Sequence, residues 1–161
     1  MKEKKTNVMR LLESMKIDYI VREYEPDPHM TGLEIAELLG LDADSVFKTL
    51  VTYSEKANEH FVFVIPVGAE LDLKKAAKAA GVKDIQMIRQ KELLPLTGYV
   101  HGGCSPIGMK RVFTTYVDET AQLFERVAFS GGKVGMQVET TFEDFQKAVD
   151  FELCDLVKDG I

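Results

Sequence analysis

Apolar side chains recur at Val8, Leu11, Leu12 and Met15, and this helical spacing predicts an amphipathic helix over Thr6 to Met15 with one face on the core. From Ile17 to Tyr24 the period falls to two, as in a strand. Pro26 and Pro28 break that strand. Thr31 and Glu34 stand in capping-box order, so a helix starts there and ends at Gly40. Phe47 to Tyr53 and His60 to Val67 are rich in β-branched and aromatic residues. They flank a polar Ser54 to Glu59 connection, which predicts a hairpin with Lys48 near a strand start.

Asp72 caps a predicted helix through Ala80 that stops at Gly81, and Ile85 to Ile88 reads as a short strand. Gln90 to Leu94 makes one or two helical turns. Beyond the glycine-rich stretch, Arg111 to Val117 alternates as a strand, Glu119 to Phe124 is a brief helix, and Arg126 to Phe129 is a strand that enters a turn at Gly131-Gly132. Met136 to Glu139 continues a sheet, Thr140 or Thr141 starts a helix through Val149, and Phe151 to Val157 forms a last strand. The hairpins exclude a simple alternating βαβ sheet, so the class is α+β.

At 161 residues with 45% hydrophobic positions, the chain is expected to form a single domain spanning 1–161. No basic-then-apolar leader and no membrane-length apolar run is present, so the expected location is the cytosol, away from membranes. Cys104 and Cys154 lack the spacing of a zinc site or a disulfide framework and fit reduced thiols. A formal net charge of -6 argues against a freestanding, high-affinity nucleic-acid binder. Any RNA contact should be local, at a patch gathering Lys48, His101, Lys110, Arg111 and Lys133. Such a patch suits a short RNA end supplied by a partner.

The segment from Gly98 to Lys110 carries Gly98, Gly102, Gly103 and Gly108 together with Pro106. Glycines let backbone approach a ligand, and proline stiffens the loop. Gly102 and Gly103 are therefore candidate backbone donors to a phosphate or an oxyanion; the alternative is a structural loop. Lys48, between Phe47 and Leu50, either snorkels from a strand edge or has a function. Thr49 could support it by hydrogen bonding, or be an ordinary sheet threonine. Cys104 would need an activating base to act as a nucleophile, and proximity to His101 in sequence does not supply one. His101 with Cys104 would need distant ligands to bind a metal, and no such cluster is visible. His29, His60 and Cys154 read as surface or packed residues. By themselves Ser130 reads as a turn serine and Tyr24 as a half-buried strand aromatic.

Taken together, Val46-Phe47-Lys48-Thr49-Leu50, Thr97-Gly98-Tyr99, Gly102-Gly103-Cys104-Ser105-Pro106-Ile107-Gly108, Ser130-Gly131-Gly132-Lys133 and the run Leu73 to Lys78 resemble one family. It is the YbaK/EbsC family of freestanding aminoacyl-tRNA editing domains, related to the insertion domain of bacterial prolyl-tRNA synthetase. The resemblance implies a mixed, strongly curved, nearly barrel-like sheet with peripheral helices. It implies Lys48 as the central active-site residue, Gly102 as the backbone donor to the scissile carbonyl, Ser130 facing the pocket, and Tyr24 as a pocket tyrosine. Thr49, His101, Gly103 and Lys133 are the further expected substrate contacts. Val134 stands where many relatives carry a basic residue, and Gln137 where some carry an acidic one.

The implied activity is trans-editing: removal of cysteine from tRNA for proline, with the substrate's own thiol as nucleophile. Neither cofactor nor metal is implied. The expected partners are the acceptor end of tRNA and prolyl-tRNA synthetase. The alternatives are a deacylase for alanyl-tRNA or another small aminoacyl-tRNA that uses water, and a non-catalytic regulatory or binding module of the same fold.

Overall fold

The computed structural model describes residues 5–27 and 29–159; Pro28, expected to break the first strand, lies outside them. Helix α1 (Asn7–Ser14) is capped by the Thr6 hydroxyl, which accepts from the Met9 amide, and it buries Val8, Met9 and Leu12. The chain turns at Lys16, whose φ is +59°, so strand β1 begins later than the alternation predicts, at Ile20–Glu23. Helix α2 (Gly32–Leu38) has both bonds of the Thr31/Glu34 capping box. A short 3-10 turn (Ala43–Ser45), absent from the sequence reading, leads into β2 (Phe47–Ser54). Strand β2 pairs with β3 (Glu59–Pro66) along its whole length, from Phe47 opposite Pro66 to Ser54 opposite Glu59. Two phenylalanines and three aliphatic residues of β3, Phe61 to Ile65, are buried.

Asp72 caps α3 (Leu73–Ala80), which stops at Gly81 in the left-handed region. Strand β4 (Gln86–Met87) follows, and then α4 (Gln90–Thr97). Helix α4 runs past the expected end at Leu94 and through Pro95. Its last turn is supported by the Thr97 hydroxyl, which donates to the Leu93 carbonyl at 2.8 Å. Strand β5 is Thr114–Asp118, shorter than expected because Arg111 and Val112 are exposed. A 3-10 turn (Glu119–Leu123) precedes β6 (Arg126–Ser130), β7 (Met136–Thr141), α5 (Phe142–Ala148) and β8 (Glu152–Cys154).

The strands form two sheets. One is an antiparallel set of three in the order β1-β7-β6; the other has five in the order β4-β2-β3-β5-β8, with β3, β5 and β8 parallel. The architecture is the expected α+β, but neither sheet closes on itself. The nearly barrel-like curvature is therefore corrected to two open sheets that meet at a single parallel bridge, Val46 to Ala128. A core of Val8, Leu12, Val64, Val117, Phe129 and Phe145 lies between them, and a second cluster around Phe63 packs under α3. The bridge has a positional consequence. Two residues further along each strand, in the same direction, come Lys48 and Ser130, and Ser130 is itself paired with Gln137.

Candidate active site

A cavity of about 240 Å³ opens where the two sheets part beyond that bridge. Its walls include Phe47, Lys48, Thr49 and Leu50 from β2, Ser130 and Gln137 from the three-stranded sheet, and His101, Gly102 and Cys104 from the glycine loop. The remaining wall was not anticipated: Met30, Thr31, Gly32 and Ile35 at the start of α2, with Val67 and Leu93. One sequence signal for it was available. A glycine in the first turn of a helix is a poor helix former, and here a Cβ on Gly32 would stand 2.8 Å from the Val67 side chain.

The glycine loop is a built wall. Gly98 ends α4 with φ +85°, and the Lys110 amide donates to the Thr97 carbonyl at 2.8 Å, closing the base of the loop. Within it, the Tyr99 hydroxyl donates to the Ile107 carbonyl at 2.5 Å, and Ser105, Pro106 and Ile107 are buried. Gly102 has φ +86°, a conformation that strains any L side chain, and its amide has no acceptor among the described residues. The Gly103 amide, by contrast, donates to the Val100 carbonyl at 2.9 Å. Gly103 stands outside the cavity wall, where a Cβ would meet the backbone of Lys133 and Val134 at 3.0 Å. Its place in the sequence reflects close packing of the two glycine segments rather than a free donor.

Lys48 is half-buried; burial pushes its ammonium pKa below the usual lysine value, with Glu70 pulling partly the other way. Cys104 is the reverse case. Burial pushes its thiol up to about 12, so it stays protonated at neutral pH. The Ser130 hydroxyl accepts from the Gly132 amide at 3.2 Å. Two polar atoms in the wall lack any partner among the described residues: the Thr49 hydroxyl and the Gln137 carbonyl oxygen, the latter on a residue only 7% exposed. An unmet buried polar atom is costly unless a ligand or water meets it. Tyr24 is buried with its hydroxyl also unpartnered, but it is not part of the cavity wall. Lys133, Lys110 and Arg111 are exposed and likewise outside the wall. Thus five of the eight expected site residues, Lys48, Thr49, His101, Gly102 and Ser130, line one cavity, and Tyr24, Gly103 and Lys133 do not. Both cysteines are free. Among the described residues no group of three or more His, Cys, Asp or Glu is placed to hold a metal ion, and no helix is long and apolar enough to cross a membrane.

A lysine, an unpaired glycine amide and buried polar acceptors around a small, largely apolar cavity are chemically able to orient a substrate and stabilise charge on it. Residues 27–148 match the family described as the aminoacyl-tRNA editing domain, and the chain belongs to that family, as its motifs led us to expect. A relative from Enterococcus faecalis (strain ATCC 700802 / V583), named as a candidate Cys-tRNA(Pro)/Cys-tRNA(Cys) deacylase, EbsC, is 47% identical over 140 residues, which is 85% of this chain and 84% of that protein. The proline–tRNA ligase of Shouchella clausii (strain KSM-K16) is 32% identical over 102 residues, 63% of this chain but 18% of the ligase. A solved structure of a candidate trans-editing enzyme for prolyl-tRNA synthetase has the same fold, with a TM-score of 0.81 at 24% identity, covering 97% of this chain and 100% of that one.

Proposed function

We propose that this chain is a trans-editing deacylase that removes cysteine from mischarged tRNA for proline, with the substrate's thiol attacking its own ester. The observation that carries the reading is the convergence of Lys48, Gly102 and Ser130, from three separate segments, on one small cavity. The sulfur bonds to the ester carbonyl carbon, the carbon–oxygen ester bond breaks, and the thiol proton passes to the released ribose hydroxyl. A cyclic thiolactone leaves. The protein's share is orientation and charge: the Gly102 amide donates to the developing oxyanion, and the Lys48 ammonium lies beside the ester or its neighbouring phosphate. Ser130 and Thr49 hold the aminoacyl group, with His101 at the wall and Tyr24 and Lys133 around it.

Three observations support a substrate-borne nucleophile. Cys104 is protonated at neutral pH, its thiol pKa pushed up to about 12 by burial. The wall residues provide no serine–histidine–carboxylate set. The E. faecalis relative is named for cysteinyl-tRNA. A weakly discriminating synthetase pocket needs such a second sieve. The -6 charge favours delivery of the substrate by prolyl-tRNA synthetase, in the cytoplasm, over independent capture of the tRNA body.

Side-by-side deacylation of cysteinyl-, seryl- and alanyl-tRNA for proline tests the reading. Fast loss of cysteine, slow loss of serine and a detectable thiolactone are expected. Release of alanine at the cysteine rate would show that water attacks, and no release from any of the three would leave a binding module.

A further inference from the structure

Building on that reading, we propose that the groove on the other side of Lys48 holds the single-stranded RNA that precedes the terminal aminoacylated nucleoside, with Lys74 and Lys158 on its phosphates. The first argument is size. The cavity, about 240 Å³, is smaller than ordinary small-molecule sites of roughly 300–1,000 Å³, yet the substrate is the end of a polynucleotide that must continue beyond it. The second is continuity: a groove of about 650 Å³ shares Lys48 and Leu50 with the cavity, whereas the other large grooves share no wall residue with it.

The chemistry of the groove suits RNA. Leu50, Leu71 and Met87 give an apolar floor for base faces, and Lys74 and Lys158 stand at its side. These lysines come from distant parts of the chain but are held together. Leu71 bridges Val157, the Asp72 amide donates to the Leu156 carbonyl at 2.8 Å, and the Lys158 amide donates to the Glu70 carbonyl at 2.9 Å. Two acids share the groove. Asp72 is engaged by the Lys74 and Lys75 amides at the start of α3. Glu70 pairs with Lys158 at 3.1 Å, but both side chains are well exposed, and so open a pair is weak enough to be exchanged for a phosphate. Three lysines against two acids line the groove, and the neighbouring Asp155 and Asp159 are both engaged by Lys75.

The probe is a single-stranded oligonucleotide ending in the tRNA sequence CCA and carrying no amino acid, its binding read by fluorescence anisotropy across a salt series. K74E/K158E, with both changes on exposed side chains, should keep the wild-type circular dichroism and bind about tenfold or more weakly, with a salt slope shallower by about 1.4, or 0.7 per lost contact. Glu70→Gln should bind more tightly. Wild-type affinity and slope in K74E/K158E would overturn the proposal. A kinetic arm separates it from the deacylase reading: K74E/K158E should raise KM for a cysteinylated acceptor-stem minihelix and leave cysteinyl-adenosine turnover unchanged. Equal losses on both substrates would overturn the groove assignment. If the wild-type protein cleaves neither substrate, the deacylase reading fails, and the anisotropy result alone decides the groove.

Discussion

Two of the cavity's walls are built on opposite principles. The β2 wall is regular sheet, paired along its whole length with β3, and it offers side chains: Lys48 and Thr49. The glycine-loop wall is irregular and offers backbone, at Gly102, on a loop held by the Tyr99–Ile107 bond and by contact with the second glycine segment. In a regular strand a functional side chain can be truncated while the ladder survives. In a loop whose function is the absence of side chains, adding one atom disturbs site and scaffold together. Substitutions should therefore separate activity from stability at the first wall and couple them at the second.

The sharpest break of that contrast is Lys48→Ala, which should fold normally and lose about 10²–10³-fold in kcat/KM, the scale of one lost charge-stabilising group. Lys48→Met should be as inactive; a normal rate would mean that its stem matters and its charge does not. The pH profile gives the sign. Activity that needs the ammonium is full at low pH and falls as the pH rises through a folded pKa lying below the ordinary lysine value of 10.5, because burial lowers it. Lys48→Arg should lack that alkaline fall, since a guanidinium keeps its proton.

Behind the glycine-loop wall, Gly103→Ala meets the Lys133 backbone at 3.0 Å, so it should lower thermal stability, by about 1–3 kcal/mol, and lower turnover with it. A stable Gly103→Ala protein at full rate would remove the coupling. Tyr99→Phe is a gentler version. Loss of its buried bond to the Ile107 carbonyl should cost about 1–2 kcal/mol, with a small fall in kcat.

The smallest expected effect is that of Cys104→Ser, with cysteinyl-tRNA turnover within about twofold of wild type. Trapping of an aminoacyl adduct on Cys104 would reverse the assignment of the nucleophile. The thiol also reports on the wall. Burial raises Cys104 from 9.0, and Tyr99 from 10.0, to about 12, so both favour the fold while neutral. That contribution is complete below about pH 9 and is lost as the pH climbs towards 12. Iodoacetamide should spare Cys104 at neutral pH and modify it as this window is crossed.

Much of the local structure was legible because it rests on local chemistry. The Thr31/Glu34 box, the Asp72 cap, the Gly81 stop and the β2–β3 hairpin are decided by neighbours in the chain. Helix α4 is longer than the Gln90 to Leu94 expected of it. Pro95 removes one helical hydrogen bond, but Thr97 and Gly98 support the final turn, so the helix does not stop before the proline. That Lys48, Gly102 and Ser130 share a site is implied by the family resemblance alone; the residue pattern of the chain does not bring them together. Their meeting depends on the Val46–Ala128 bridge, a contact between segments 82 residues apart that no periodicity encodes. The packing of Gly103 is hidden for a related reason, since its neighbour across the loop, Lys133, is distant in sequence. The α2 wall went unseen because helical spacing tells which residues pair with a core and nothing about an opening beside it.

That α2 wall has an evolutionary consequence. A Cβ on Gly32 would stand 2.8 Å from the Val67 side chain, and Met30 and Ile35 line the cavity from a segment that carries neither Lys48 nor Gly102. One side of the cavity is thus built by a seven-residue helix seated by its own capping box and by the residues just before it, separately from the segments that carry Lys48 and Gly102. A lineage could change which residue it proofreads by exchanging one or two side chains on that helix, leaving the chemistry inherited and untouched.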